Sequence, residues 1–184
     1  MNDRSYPSQY VWPFTLLDGT EVVLRPIRPE DEPLMRKFHQ TLSDHSVYMR
    51  YFSALSLRFR VSHERLVQVC FADYDHQIAL VAEHSDSSTR EHRILGVVRL
   101  TRLTATDQNE AEVAIVVADP WQKQGLGREL LRRLVQVARQ EKVSRLSAEI
   151  LRDNITVQNL FQKAGFAVRG FADGSSVQAL LDLR

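Results

Sequence analysis

The sequence has a single cysteine, Cys70, which excludes an intramolecular disulfide and a cysteine-based zinc site. Cys70 falls in an apolar helical pattern, where a free cysteine is typically a small core residue. No apolar run approaches the length of a membrane span, and the first ten residues lack the apolar segment of a secretion signal. We therefore expect a cytoplasmic protein that has no membrane contact and binds no metal.

An excess of charge of one sign is also missing, because 24 basic and 23 acidic residues give a formal net charge of +1. This balance gives no reason to expect nucleic acid as a partner. Lysine is scarce, with only four residues, so nearly all of the positive charge is arginine. The aromatic and basic stretch Asp44–Phe59 is compatible with single-stranded nucleic acid. Because the chain has no excess of positive charge, we expect this stretch to pack against the core and form the wall of a pocket.

The length of 184 residues fits one domain, and 43% apolar and 26% charged residues are ordinary for a globular chain. Residues 1–20 are polar and turn-rich and are interpreted as an N-terminal arm that precedes a single domain, residues 21–184. Apolar periodicity in that domain predicts the order β-α-α-β-β-β-α-β-α-β-β. The predicted fold class is mixed α/β (α+β), with a central mixed sheet of about six or seven strands covered by about four helices.

The segment from Ala118 to Arg128 carries the most informative pattern, because it joins the most continuous apolar strand to a strongly amphipathic helix. Gly125 and Gly127 would allow a tight turn and a close approach of a ligand to the backbone. The unpaired amides at the start of the helix form an anion site, flanked by Lys123 and Arg128. When the two glycines are taken alone, a role in marking the start of a helix explains them equally well.

Two common phosphate-binding loops do not match this segment. No Gly-Lys-Ser/Thr run of a P-loop is present, and Leu130 occupies the position of the third glycine in a dinucleotide fingerprint. The loop also follows about the fourth predicted strand, whereas a Rossmann fold carries its glycines after the first.

The pattern Gln122-x-x-Gly125-x-Gly127, placed between a buried strand and a long helix, resembles the acyl-CoA pyrophosphate signature of the GNAT acyltransferases. Downstream, Asn154, Phe161 and the run 163–166 resemble their later motif, N-x6-[YF]-x-K-x-G-F. The two motifs lie at the expected separation, and the order of elements agrees over nearly the whole chain. The resemblance implies a GNAT-like fold and an enzyme that uses acetyl-CoA as co-substrate.

A closer resemblance is to the acetyltransferase domain of bacterial Pat-type protein lysine acetyltransferases. It rests on residues 24–35 (LRPIRPEDEPLM), 50–53 (RYFS) and 111–114 (AEVA). This resemblance implies transfer of acetyl from acetyl-CoA to an amine, foremost a protein lysine, for example of an acyl-CoA synthetase. Members of the group often fuse this domain to an acyl-CoA-synthetase-like or cyclic-nucleotide-binding domain. Neither is present, so the chain is expected to be a free-standing relative or an excised domain.

The resemblance also assigns binding residues. The backbone of Ile115, Val116 and Val117 would hydrogen-bond the pantetheine arm of the co-substrate. Asn154 would contact the arm from the other side, although a helix N-cap explains this residue equally well. The pyrophosphate would be held by the loop residues Gln122, Lys123, Gln124, Gly125, Leu126, Gly127 and Arg128.

Transfer requires a neutral amine, and because a lysine amine has a pKa near 10.4, a base must remove its proton. Glu112 matches the catalytic glutamate of the Pat-type group; without that resemblance it would be a solvated charge at a strand end. Glu149 is the rival base, since other GNAT enzymes place one on the next strand, and Glu110 is a weaker third. Phe161 stands where many GNAT enzymes have the tyrosine that protonates the departing thiolate. The thiolate here would leave unassisted or take a proton from water.

Two other functions remain open at this point. A small-molecule amine acetyltransferase is one, although the arginines at positions 50, 58 and 60 argue against a pocket for cationic small molecules. A non-catalytic module that senses acyl-CoA and regulates a partner is the other. Phe161 supports such a module, and Glu112 argues against it.

Overall fold

The computed structural model describes residues 6–71, 73–103, 109–170 and 174–184. Its strands are β1 Trp12–Thr15, β2 Glu21–Pro26, β3 Gln77–Ser85, β4 His92–Arg102, β5 Glu110–Val117, β6 Arg145–Leu151, β7 Ala167–Gly170 and β8 Ser176–Asp182. Its helices are α1 Glu32–Gln40, α2 Asp44–Tyr51, α3 Leu57–Arg60, α4 His63–Cys70, α5 Leu126–Gln140 and α6 Ile155–Lys163. Short 3-10 turns at Pro29–Asp31 and Asp119–Trp121 precede α1 and follow β5.

The described strands form one sheet in the order β1-β2-β3-β4-β5-β6-β8-β7. Neighbouring strands are antiparallel, apart from β5 and β6, which are parallel and joined by the crossover helix α5. The predicted mixed α/β class with a mixed sheet is confirmed.

The described part of the chain has eight strands and six helices, both more than predicted. The additional strand is β1, which pairs with β2 at the edge of the sheet and lies within residues 1–20. Its four residues are too few to show a clear alternation, and Pro13 weakens a strand pattern. The additional helices α2 and α3 occupy the aromatic and basic stretch, where Ser43 and Ser56 accept capping hydrogen bonds. The single-domain boundary at residue 21 stays a prediction.

The sheet is covered on both faces, so it separates two apolar cores. On one face, α5 packs through the leucines at positions 126, 130, 131 and 134. Gly96 of β4 permits this contact, because a Cβ there would lie 3.0 Å from a methyl carbon of Leu130. The other face carries α1, α2 and α4, with Met35, Phe38 and Cys70 buried among them. Cys70 is a core residue, as predicted, and burial raises the pKa of its thiol to about 12.

The motif at residues 24–35 builds a buried ion network. Arg25 donates to both oxygens of Asp31 at 2.7 Å and through Nε to Glu83 at 2.6 Å. Burial alone would lower the pKa of Arg25, but these bonds hold it above its ordinary value. The network ties β2 to β3 and fixes the start of α1, so the motif has a structural role in this chain.

Across residues 6–71, 73–103, 109–170 and 174–184, no helix is both long and apolar enough to cross a membrane.

Candidate active site

The two parallel strands β5 and β6 separate at the centre of the sheet. They pair only between Glu110–Glu112 and Arg145–Ser147, so the β6-facing edge of β5 has no strand partner from Val113 onward. Residues 114–117 are only half-buried as a result. Backbone groups along this edge are therefore available to a ligand that enters between the strands.

A cavity of about 250 Å³ lies at this separation. It is lined by Met49, Arg50, Tyr51, Phe52, Glu112, Val113, Ala114, Ile115, Ala148, Glu149, Ile150 and Phe161. Both candidate bases therefore face the same space. Val113 and Ala148 belong to the core under α5, so the alternation of side chains places Glu112 and Glu149 together on the opposite face.

The carboxylates differ in their partners. Glu149 accepts a hydrogen bond from Ser176 Oγ at 2.7 Å. Glu110, the third candidate, forms an ion pair with Arg145 at 3.2 Å. Glu112 has no hydrogen bond or ion pair within the described ranges, and it is exposed to the cavity. Its charge acts on Arg50, whose pKa is lowered by burial and raised in part by Tyr51 and Glu112.

The loop predicted to hold the pyrophosphate ends in an open helix terminus. Gly125 has φ +86° and is the N-cap of α5, a conformation that side chains other than glycine adopt at a cost. No side chain caps the helix, and the amides of Leu126, Gly127 and Arg128 make no hydrogen bond within the described part of the chain. Lys123 and Arg128 are exposed beside these amides. The terminus thus presents unpaired amides and two flanking cations, an arrangement that favours a negative charge.

The remaining loop residues hold this terminus in place. Gln122 donates through Nε2 to the carbonyl of Val117 at 3.1 Å and to Ser46 Oγ at 3.2 Å. Gln124 accepts from the amide of Leu17 at 3.2 Å, which ties the N-terminal segment to the loop. The side chain of Leu126 is buried in the core, so it offers a ligand only its backbone.

The strand residues and Asn154 lie where the motifs predicted. Ile115 and Val117 pack toward the α5 core and Val116 toward the opposite core, so their side chains are structural while one backbone edge stays open. Asn154 is the N-cap of α6 and accepts from the amide of Val157 at 3.3 Å. Its backbone amide donates to the carbonyl of Leu151 at 2.9 Å, while its side-chain Nδ2 makes no hydrogen bond in the described chain.

Phe161 is 1% exposed and lies edge-on to Phe166, with ring centroids 4.8 Å apart. It lines the cavity but carries no titratable group, so it cannot protonate a leaving group.

A polar network that the sequence did not indicate joins the loop to the cavity wall. Asp119, just after β5, accepts from the amide and Oγ of Ser43 at 3.1 and 2.7 Å and from Ser46 Oγ at 3.0 Å. Burial raises the pKa of Asp119, but these hydrogen bonds outweigh it and hold the pKa below its usual value. The network fixes α2, which supplies the cavity wall, against the end of β5. Only the serine before Asp44, a typical N-cap, could have pointed to it.

Comparisons with known proteins agree with this geometry. The family model described as an acetyltransferase (GNAT) domain matches residues 21–167. The GNAT domain of S. lividans PAT is 30% identical, with a TM-score of 0.84 over 97% of this chain and 100% of that one. The acetyltransferase PA5475 of Pseudomonas aeruginosa is 29% identical over 90% of this chain and 85% of its own length. Mycobacterium smegmatis RimJ, solved with CoA-disulfide, shares the fold at 16% identity, with a TM-score of 0.71 over 94% of this chain and 87% of its own.

The split between β5 and β6, the open terminus of α5 and the match over most of the chain agree with one another. The chain belongs to the GNAT family of acetyltransferases and is an acyl-CoA-dependent N-acetyltransferase.

Proposed function

We propose that this protein transfers acetyl from acetyl-CoA to a lysine side chain of a folded protein. The likeness to the GNAT domain of S. lividans PAT, over 97% of this chain and 100% of that one, supports this acceptor class. Exposed apolar residues on and beside α2 and α3 also support the proposal. Large apolar side chains there are 37% to 51% exposed: Tyr48, Phe52, Leu57 and Phe59. Phe52 also lines the cavity, and exposed apolar side chains near such a cavity are typical of a surface that docks another protein.

The donor would bind along the open edge of β5. Backbone groups of Ile115–Val117 would bond the pantetheine arm, and the amides at Gly125–Arg128 would bond the pyrophosphate. The side-chain Nδ2 of Asn154, on the other side of the split, has no described partner and could donate to the arm. The thioester would then lie in the cavity beside Glu112 and Phe161.

The reaction follows from the residues around that cavity. The ammonium of the acceptor first loses a proton to Glu112, directly or through water, and the neutral nitrogen attacks the thioester carbon. The carbon–sulfur bond breaks, the thiolate departs and takes a proton from solvent, and the new amide nitrogen loses its second proton. Glu112 suits the base because no described residue occupies its oxygens. Phe161 has no proton to give to the leaving sulfur.

The proposal is tested by incubating the protein with acetyl-CoA and either folded acyl-CoA synthetases or a panel of small amines. Intact-mass measurement should show acetyl groups added to the protein acceptor, with matching release of free thiol. Reaction with small amines alone would replace the lysine proposal with a small-molecule acceptor. Binding of acetyl-CoA without any transfer would favour a sensing module, for which Phe161 is the one supporting observation.

A further inference from the structure

Three arginines from different elements meet beside the catalytic cavity. Arg50 comes from α2, Arg65 from α4 and Arg99 from β4, and they line a second cavity of about 60 Å³. This second cavity shares Arg50, Tyr51 and Ala114 with the first, so the two are contiguous. Its volume is several times the roughly 15 Å³ that a single water requires, which leaves room for a small polar group.

None of these three arginines forms an ion pair in the described chain, although the charge of Glu112 acts on Arg50 from the neighbouring cavity. The three residues are half-buried, and the Nε atoms of Arg65 and Arg99 are buried and make no hydrogen bond there. Arg50 and Arg65 stack on the ring of Tyr51, at 4.8 and 5.4 Å from its centroid. Burial lowers the pKa of Arg99, and the neighbouring Arg50 and Arg65 lower it further. Three clustered cations with unpaired, buried Nε donors are unfavourable together, and an anion between them would relieve this cost.

The contrast with Arg25 shows that the arrangement is specific to this place. Arg25 is more deeply buried, with 5% of its surface exposed, and it makes three hydrogen bonds to the carboxylates of Asp31 and Glu83. Buried polar groups are paired in most of a protein, and an exception requires an explanation. A ligand that supplies the missing anion explains the arginine cluster.

We propose that the arginine cluster of Arg50, Arg65 and Arg99 binds a carboxylate of the acceptor, close to the amine that is acetylated. This inference rests on the proposed function, and it predicts that the target lysine has an acidic neighbour in its sequence. The acceptor is the favoured occupant because the cavity of the cluster adjoins the cavity lined by Glu112. Glu112 would face the amine while the arginines face the carboxylate, and planar guanidinium groups match a carboxylate in geometry.

The experiment compares lysine peptides that differ only in one neighbour, glutamate or glutamine, placed one to three residues from the lysine. Nα-acetyl-lysine and its amide form a second pair, in which only the free carboxylate differs. Acetylation kinetics and the binding of fluorescent versions of the probes, by anisotropy in the presence of CoA, are both measured. The carboxylate probe should have a KM and a Kd lower by about tenfold or more, the range expected for charged hydrogen bonds.

The variants assign that preference to the arginine cluster. Arg65→Gln and Arg99→Gln should bring the carboxylate and amide probes to near equality, while Arg65→Lys should retain part of the preference because it keeps the charge. Arg139→Gln, an exposed residue on α5, makes the same change of charge and should leave the preference intact. CoA affinity and circular dichroism show that each variant is folded.

The outcomes separate this inference from the proposed function. If peptides fail but Nα-acetyl-lysine is preferred over its amide, the protein acceptor is wrong and the carboxylate site stands. If peptides react or bind without any preference, the lysine acceptor stands and the arginine cluster is not a carboxylate site. An absence of preference in both pairs, including an absence of binding, overturns the inference.

Discussion

Ser176 Oγ lies 2.7 Å from Glu149 Oε1 and donates a hydrogen bond to it between two paired strands, β8 and β6. This bond engages one oxygen of Glu149 and fixes its orientation. Glu112, in the same cavity, has neither oxygen bonded within the described ranges. Two carboxylates that look equivalent in the sequence therefore differ in their availability to accept a proton.

Replacement of the base tests this difference. We expect Glu112→Gln to lower kcat by about 10² to 10⁴-fold, the usual contribution of a general base. The affinity for acetyl-CoA, measured by calorimetry, should stay unchanged because the amide is isosteric and lies away from the helix terminus. Glu149→Gln is the matched control and should lose much less. If Glu149→Gln were inactive while Glu112→Gln kept its activity, Glu149 on β6 would be the base instead.

The start of α5 should control the binding of the donor. Gly125→Ala adds the strain of a side chain at φ +86°, but no described atom lies within 3.8 Å of the new Cβ. Gly125→Glu adds the same strain together with a negative charge at the anion site. We expect calorimetry to show weakened CoA binding for the alanine variant and none for the glutamate variant. Equal affinities of the two variants would mean that charge at this terminus does not matter.

The buried pair Arg25–Asp31 should dominate the stability of the motif at residues 24–35. Asp31→Ala leaves the guanidinium with Glu83 alone, and breaking a buried pair typically costs about 3 to 5 kcal/mol. Glu91→Ala is the control, because Glu91 pairs with Arg93 at 2.7 Å but both side chains are about half exposed. Its loss should cost far less, because solvent screens an exposed ion pair. Urea unfolding measures both, and a similar cost for the two variants would contradict the prediction.

His39 should make the stability fall in mild acid. Burial first, and then the positive charges of the surrounding Arg60, Arg65, Arg99 and Arg50, together lower its pKa from 6.5 to about 4. Between these values the unfolded chain binds the extra proton, so this stabilising contribution is present above pH 6.5 and is lost as the pH falls toward 4. The full effect is roughly 3 kcal/mol.

Urea unfolding at pH 4.5 to 7.5 checks the contribution of His39. We expect His39→Gln to flatten the dependence of the free energy of unfolding on pH within that window. His45→Gln, at an exposed position on α2, should keep the slope of the parent protein. An unchanged slope in His39→Gln would show that this imidazole does not titrate with folding.

Local patterns predicted the elements that build the site. Gly125 was expected to adopt a turn before an amphipathic helix, and the structure gives it φ +86° at the start of α5. The strand β5 was recognised by its apolar run. By contrast β1, a short edge strand that contains Pro13, and the short helix α3 were missed, because few residues and little periodicity mark them.

The hydrogen-bond partners of individual side chains could not be predicted from such local patterns. Asp119 is 76 residues from Ser43, and their hydrogen bonds depend on how α2 packs against the end of β5. Asn154 was equally compatible with a cap and with a ligand contact, and the structure shows the cap.

The sequence by itself determined the order of the strands and helices other than β1, α2 and α3, the turn at Gly125, and the placement of Glu112 and Glu149 on the strands before and after that turn. These features follow from alternation, periodicity and the backbone freedom of glycine, which act over a few residues. Only the tertiary structure decided that β5 and β6 part after Glu112, that Ser176 engages Glu149, and that the arginine cluster lies beside the cavity. Its three arginines come from two helices and a strand, and only the register of the sheet and the packing of helices on it bring such distant residues together.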